Sequence, residues 1–389
     1  MLKRLYVDNF RCLLDFELNF DSINLFLGDN GAGKSTVFDV LEKLQLLITS
    51  GDAVEEIFKQ SDFTRWRSNE KQTFELEVSG NNGHYKYQLE VGKIDSIIEE
   101  DFVFTNKYIL NERLFFNQDL LLNVEEEKVE FYSDDGIKYS STRYNHSQSI
   151  ISILRSSSEN KKLVWFRHKI KNLVILKISP NLIVSVSSQK NSFLTKKMEN
   201  FVSWYRYMFA ENQNKLTQLT ESLQEILDGF ISFRLEPISE KAVILKLIFK
   251  TEESDQNIEY TFEELSDGQK VLVVLYSLFY GLESQDYTLC IDEPENFLAL
   301  PEIQPWLFQL YDLCSAGKLQ ALLISHHPEL IDYLLASPVG YWFKRESNSP
   351  VQVTPIDNNF LQPVINNIQK DNKSGLKMSE LIARGWLDE

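Results

Sequence analysis

Cysteine, histidine and long apolar runs are scarce in this sequence of 389 residues. The three cysteines, Cys12, Cys290 and Cys314, are too few and too scattered for a disulfide framework or a zinc knuckle. The five histidines form no metal-ligand spacing either. The longest apolar run, residues 271–282, is shorter than a membrane span, and the first residues lack the apolar core of a signal peptide. We therefore expect a soluble cytoplasmic protein that makes no membrane contact.

Basic residues are also in deficit, with 40 Lys and Arg against 57 Asp and Glu and a net charge of −17. This balance argues against a surface that is basic throughout and built for nucleic acid. Residues 160–198 are the exception, because they contain no Asp or Glu and nine Lys and Arg. Within them, residues 161–171 interleave cations with Trp165 and Phe166. This segment is the one candidate for contact with a polyanion.

A glycine-containing loop gives the first indication of chemistry. Gly28, Gly33, Lys34 and Ser35 occupy every fixed position of the pattern G-x-x-x-x-G-K-[ST]. An apolar strand pattern precedes the loop and a helical pattern follows it, so the loop ends at a helix N-terminus. In such a loop, a phosphate chain is contacted by backbone N–H groups and by Lys34. The Ser35 hydroxyl can in addition bind Mg²⁺. The residues expected to contact ATP are Asn30, Gly31, Ala32, Gly33, Lys34, Ser35 and Thr36.

The remaining pattern predicts an α/β protein in three parts. Residues 1–140 alternate as strands around the loop and form an N-terminal lobe with a β layer. Residues 141–230 read as a mostly helical insertion that carries the basic stretch, with helices at 147–154, 160–171, 191–209 and 212–227. Residues 231–389 return to strands and form the C-terminal lobe.

Three further motifs follow in the C-terminal lobe. Leu265, Ser266, Asp267, Gly268 and Gln269 resemble the L-S-G-G-Q signature of ABC-type ATPases, with an aspartate in place of a glycine. As an isolated motif, the same residues would be an ordinary helix cap.

An acidic pair and a histidine come after two apolar strands. Asp292 and Glu293 end the strand at residues 287–291, and His326 follows the strand at residues 319–324. The alternative interpretations are a strand capped by surface acids and a structural histidine. The acidic pair and the histidine follow the phosphate-binding loop in the order that favours a nucleotide site.

These ordered elements, together with Asn9, Phe10 and Arg11, resemble the RecF/OLD/SMC-like branch of ABC-type P-loop ATPases. The likeness is greatest to the compact bacterial proteins called AAA family ATPases, through residues 292–307, 322–331 and 376–387. The resemblance implies an ABC/SMC-type P-loop ATPase head, with a central mixed or parallel sheet, an antiparallel β layer and a mainly helical insertion. It covers roughly residues 1–90 and 230–389.

The resemblance also implies ATP and Mg²⁺ as ligands and a role for each motif. Ser35 and Asp292 would hold Mg²⁺, Glu293 would polarise the attacking water, and His326 would sense the γ-phosphate. Ser266, Asp267, Gly268 and Gln269 of one chain would face the nucleotide bound by Lys34 of another, in a homodimer closed around ATP. Gln72 would couple Mg²⁺ to the inserted region, unless it is an exposed polar residue at a strand start.

For biological role, the resemblance favours an ATPase that controls a separate effector encoded nearby in antiphage or anti-plasmid defence. We expect no intrinsic nuclease, because the 62 residues after His327 are too few for a Toprim module. The alternative is a RecF-like ATPase of DNA repair that binds DNA through residues 161–171. Against this alternative, the basic stretch could instead dock on the acidic run at residues 125–135 or remain a solvated face.

Overall fold

The computed structural model describes residues 1–68, 70–97, 103–125, 128–141, 144, 146–209, 212–251, 256–282, 287–326 and 339–356. The α-helices in these ranges are α1 (Lys34–Thr49), α2 (Val54–Ile57), α3 (Ile150–Ile153), α4 (Lys161–Lys171), α5 (Phe201–Phe209), α6 (Gln213–Gln224), α7 (Asp267–Gly281) and α8 (Leu300–Ser315). The first nine strands are β1 (Leu2–Asp8), β2 (Phe16–Asn19), β3 (Ile23–Gly28), β4 (Lys71–Gly80), β5 (Gly83–Ile97), β6 (Val103–Phe116), β7 (Asp119–Glu125), β8 (Lys128–Tyr132) and β9 (Lys138–Ser141). The other strands are β10 (Leu173–Leu176), β11 (Val186–Ser187), β12 (Phe230–Pro237), β13 (Val243–Lys250), β14 (Asn257–Thr261), β15 (Thr288–Asp292), β16 (Gln320–Ile324), β17 (Val339–Lys344) and β18 (Gln352–Ile356).

Two compact units make up the chain. The first consists of Met1–Leu173 and Pro338–Pro363, and the second of Val174–Ser337 and Val364–Glu389. The boundary in the middle of the chain differs from the predicted ones at residues 140 and 230, because α3 and α4 pack against α1 within the first unit. The three-part division remains a prediction.

An antiparallel layer dominates the first unit, in the order β2-β1-β4-β5-β6-β7-β8-β9. Side chains alternate between buried and half-buried along β4, so that Gln72, Phe74, Leu76 and Val78 face inward. A second group of strands in this unit pairs β3 in parallel with β17, and β17 antiparallel with β18. The fully buried β3 leads directly into the phosphate-binding loop and α1.

The second unit contains the parallel pair β15 and β16, with β10 beside β15. In this pair, Asp292 is opposite Ile324, so both strands end at one edge. A separate antiparallel sheet places β13 between β12 on one side and β11 and β14 on the other. Helix α7 is buried along nearly its whole circumference, as its apolar sequence predicts. The predicted α/β class and the antiparallel β layer are therefore confirmed.

One predicted helix is too long. The periodicity predicts a helix over residues 191–209, but α5 begins at Phe201. Before it, the backbone N–H of Thr195 donates to Oδ1 of Asn200 at 2.9 Å, and the Asn200 amide donates to the Phe193 carbonyl at 2.8 Å. Such local bonds from a side chain to the backbone compete with a helix. Met198 in addition has a left-handed φ of 67°. The predicted resemblance at residues 376–387 lies outside the described residues.

Candidate nucleotide site

The phosphate-binding loop has a left-handed backbone at three glycines, two of which leave no room for a side chain. Gly28, Gly31 and Gly33 have φ angles of 131°, 81° and 100°. A Cβ atom on Gly28 would lie 2.0 Å from the carbonyl oxygen of Phe343 on the neighbouring strand, and one on Gly33 would lie 2.6 Å from a methyl carbon of Val351. Because β17 and the segment before β18 press against it, the loop is held in a narrow turn at the start of α1.

Lys34 is buried at the start of α1, and its ammonium group lies over the loop. Its Nζ donates to the carbonyls of Gly28 at 2.6 Å and Asp29 at 2.9 Å. No acidic residue occupies the first turn of α1, so the helix dipole and the lysine present positive charge together. Asn30, Gly31 and Ser35 are exposed beside it, while Ala32 and Gly33 are buried and Thr36 is half-buried. This cradle fits a phosphate chain.

Gln72 lies in the interior and is therefore not the exposed strand-start residue of the alternative interpretation. Its Nε2 donates to the carbonyls of Asn9 at 3.0 Å and Asp62 at 2.9 Å. Its Oε1 is buried and has no hydrogen-bond partner among the described residues. Gln72 thus ties the beginning of β4 to the turn after β1. Its role towards Mg²⁺ remains a prediction.

The turn after β1 is connected to α1 by ion pairs. Asn9 and Arg11 have left-handed φ angles of 63° and 48°. Arg11 contacts Asp39 of α1 at 2.6 Å and Asp62 at 2.9 Å, and Lys43 contacts Asp62 at 3.0 Å. Burial opposes ionisation of Asp62, but the Lys59 N–H, Lys43 and Arg11 outweigh it and hold the pKa of this carboxyl below its usual value. Asp62 could not be predicted from the sequence, because it lies in a weakly patterned segment.

The acidic pair lies at the end of β15 in the second unit. Asp292 is buried, and Glu293 adopts a left-handed φ of 57°, which is uncommon for this residue type. The Glu293 N–H donates to the Ile324 carbonyl at 2.9 Å, and its Oε1 is 3.9 Å from Nε2 of His326. Two parallel strands thus bring Asp292, Glu293 and His326 to one edge, as their positions in the sequence predict. Their chemical roles remain predictions.

Three residues for which the sequence predicted no role within this chain complete the edge. Glu295 is buried, and its Oε1 accepts from the Ser325 hydroxyl at 2.5 Å and from the His326 N–H at 3.3 Å. Asn296 donates to Oε2 of Glu293 at 2.8 Å. Lys177 places its Nζ 3.2 Å from Oδ2 of Asp292. Glu295 and Asn296 follow the acidic pair directly in sequence, where the resemblance implies a loop that contacts a second chain, whereas nothing in the sequence indicates Lys177.

The signature residues form the N-terminus of α7. Ser266 accepts from the Gln269 N–H at 3.2 Å, and Gln269 accepts from the Ser266 N–H at 3.0 Å, which is a capping box. Ser266 and Asp267 are exposed. A Cβ atom on Gly268 would lie 2.9 Å from the Phe297 carbonyl oxygen, so the loop after β15 requires a glycine there. Contact of these residues with a second chain remains a prediction.

The donor atoms also suit Mg²⁺, which prefers oxygen and is usually held by one or two carboxylates together with substrate phosphates. Ser35 in the first unit offers a hydroxyl, and Asp292 in the second unit separately offers a carboxylate. Among the described residues, no group of three or more His, Cys, Asp and Glu forms a metal cage. The joint role of these two residues towards Mg²⁺ remains a prediction, and the chemistry that the metal would supply is neutralisation of phosphate charge.

Comparison with known proteins places the chain in a family. Residues 23–332 match the family described as "AAA domain, putative AbiEii toxin, Type IV TA system", which is more than half of the chain. The chain belongs to this family, and the prediction of an AAA family P-loop protein is confirmed. No curated protein gives a match.

Two solved structures are similar to the chain at low sequence identity. One is the SMC head domain from Thermotoga maritima, with 12% identity, a TM-score of 0.46, and coverage of 92% of this chain and 99% of that chain. The other is an SMC head bound to the C-winged helix domain of ScpA, with 13% identity, a TM-score of 0.48, and coverage of 92% and 98%.

Helix α4, the core of the basic stretch, is packed within the first unit. Asp134 caps it by accepting from the N–H groups of Lys161 at 2.8 Å and Lys162 at 3.1 Å. Trp165 stacks on Tyr85 with ring centroids 5.0 Å apart, and Phe166 is fully buried. Both aromatic rings are therefore used for internal packing. Within the described residues, no helix is long and apolar enough to cross a membrane.

Proposed function

We propose that this protein binds ATP with Mg²⁺ and hydrolyses it, and that ATP closes a homodimer which controls a separate effector. The observation that carries the proposal is the placement of Glu293, which has a strained backbone and a carboxylate between Asn296 and His326. Strained backbone conformations concentrate at functional sites. A carboxylate fixed in this way suits a general base.

Each residue has one task in the proposed reaction. The backbone from Asn30 to Thr36 and the Lys34 ammonium bind the phosphates, which replace the loop carbonyls as acceptors for Lys34. Ser35 and Asp292 supply oxygen ligands for Mg²⁺.

The remaining tasks concern the attacking water and the second chain. Glu293 orients the water and accepts its proton. His326 donates to the γ-phosphate. Ser266, Asp267, Gly268 and Gln269 come from the second chain, where the exposed helix N-terminus of α7 offers N–H groups to the same phosphate.

Glu293→Gln tests this proposal directly. The amide keeps the size of the side chain but cannot accept a proton, so hydrolysis should fall by about 100-fold or more. With ATP bound and uncleaved, the variant should elute as a dimer in size-exclusion chromatography. The Lys34→Ala/Glu293→Gln double variant is the matched control and should remain monomeric. A monomeric Glu293→Gln protein at saturating ATP would contradict the dimer.

The effector and its role in defence rest on the family description, which names a toxin and a TA system. Copurification of a neighbouring gene product with the Glu293→Gln variant, and its absence with Lys34→Ala, would support an ATP-dependent effector. A solitary gene whose deletion leaves phage infection and plasmid maintenance unchanged would contradict the role.

DNA binding in repair is the weaker candidate, because the side chains that should stack on bases are packed inside the first unit. Trp165 contacts Tyr85 and Gly80, and Arg167 donates to the carbonyls of Ile151 and Leu154 at 3.1 and 2.7 Å. Lys161 and Lys171 are exposed and remain candidates for phosphate contacts. DNA affinity that falls steeply with salt and is lost in Lys161→Glu/Lys171→Glu would restore this alternative.

A further inference from the structure

Lys177 connects the basic stretch to the acidic pair within the second unit. It is the first residue after β10, which lies beside β15. Its N–H donates to the Lys196 carbonyl at 2.7 Å, which fixes the backbone. Its Nζ is 3.2 Å from Oδ2 of Asp292 and 3.9 Å from Oε2 of Glu293. One cation of the insertion is thus directed at both carboxylates.

The two sides of this ion pair differ in exposure. The Asp292 side chain is 8% exposed, whereas that of Lys177 is 51% exposed. A buried carboxylate next to a second carboxylate requires a counter-charge. A half-exposed lysine on a flexible four-carbon stem can supply that charge and can also leave. Asp292 is therefore the fixed member of the pair and Lys177 the movable one.

We propose that Lys177 is the resident counter-ion of Asp292 and Glu293, and that it must leave Asp292 before this carboxylate can hold a divalent cation. The inference rests on the proposed function for the metal role of Asp292. An ammonium group and a divalent cation repel each other at the distance that a shared Oδ2 would impose. Lys177 is thus a positioning residue. Without metal it stabilises the acidic edge, which consists of Asp292, Glu293 and His326, and it raises the metal concentration needed to occupy Asp292.

Titration with Mn²⁺ alone, without nucleotide, measures this competition. Binding to the full chain is followed by the electron paramagnetic resonance of free Mn²⁺ at low ionic strength. Lys177→Met should bind Mn²⁺ about fivefold more tightly than the unaltered protein, since a half-exposed ion pair is weak. Lys177→Arg restores the charge and should return the affinity to the original value. Lys197→Met, which removes an exposed lysine of the same stretch, should have no effect.

A second pair of variants keeps the test decisive. Asp292→Asn added to Lys177→Met should abolish the gain, and Lys177→Gln should reproduce it if the methionine variant does not fold. Equal Mn²⁺ affinity with and without Lys177, or a gain that survives Asp292→Asn, would overturn the proposal. Mn²⁺ is titrated without nucleotide, so this test does not depend on ATP binding. Failure of the ATPase proposal would be seen separately, as ATP binding that is unchanged in Lys34→Ala.

Discussion

The phosphate-binding loop of the first unit and the acidic edge of the second are held in shape by different parts of the chain. In the loop, close packing of the glycine backbone sets the geometry, with Gly28 against the Phe343 carbonyl and Gly33 against the Val351 side chain. At the acidic edge, side chains set it, through Glu295, Asn296 and Lys177. The loop has no room for an added atom at Gly28 or Gly33. The acidic edge depends on separate hydrogen bonds and ion pairs, each of which can be removed by one substitution.

Gly28→Ala should have the largest effect, because the new methyl group would lie 2.0 Å from a backbone oxygen that cannot move alone. ATP binding, measured by fluorescence of a labelled nucleotide, should weaken by more than about 100-fold, and the melting temperature should fall. Gly31→Ala is the matched control, since no atom lies within 4 Å of its Cβ position. Its left-handed backbone costs about 1–2 kcal/mol, so binding should weaken by at most about 30-fold. Equal losses in both variants would show that packing does not set the loop.

Glu295→Ala should have an intermediate effect at the acidic edge. It removes the carboxylate that accepts from the Ser325 hydroxyl and the His326 N–H, and a hydrogen bond to a charged group contributes about 1.5–3 kcal/mol. Urea unfolding should therefore show a free energy of unfolding lower by about 2 kcal/mol. The ATPase rate should fall, because His326 loses its orientation, while ATP affinity stays within about twofold if the loop is independent.

Glu302→Ala separates lost stability from lost orientation. Glu302 also accepts a backbone N–H, that of Ala299 at 2.7 Å, but at the start of α8. Its replacement should cost about 1 kcal/mol of stability and leave the ATPase rate unchanged. A similar loss of rate in both variants would mean that general destabilisation, and not the acidic edge, limits activity.

The same contrast explains which parts of the fold and of the candidate site can be predicted from the sequence. The phosphate-binding loop is a contiguous sequence motif, so it can be recognised directly. Asp292 and His326 can be predicted because parallel strands end at a common edge of the sheet. Lys177 could not be found, since 115 positions separate it from Asp292 and nothing in the basic stretch distinguishes it from eight other cations. The helix over residues 191–200 was predicted wrongly because periodicity carries no information about the side-chain bonds of Asn200.

The smallest effect is a pH dependence of stability that comes from Glu112. This residue lies inside the β layer of the first unit and is held by hydrogen bonds to its side chain. Its carboxyl group is fully buried and accepts from the Tyr87 hydroxyl at 3.0 Å, the Ile150 N–H at 3.0 Å and the Ser149 hydroxyl. Burial raises the pKa of Glu112 above its usual value, and these donors only partly oppose the shift. This set of contacts joins β6 to the start of α3 and could not be predicted from the sequence.

A raised pKa in the folded state fixes the sign of the pH dependence. The stabilising contribution of Glu112 is fully present below its unfolded pKa of about 4.3 and is lost as pH rises through the folded value. Glu112→Gln stays neutral, so the unaltered protein should lose stability relative to this variant as pH rises above about 4.3. Urea unfolding at a series of pH values measures the difference. If the difference in free energy of unfolding between the two proteins stays constant with pH, the three donors fully stabilise the charged carboxylate. Glu112 would then be held by its hydrogen bonds in the same way as Glu295.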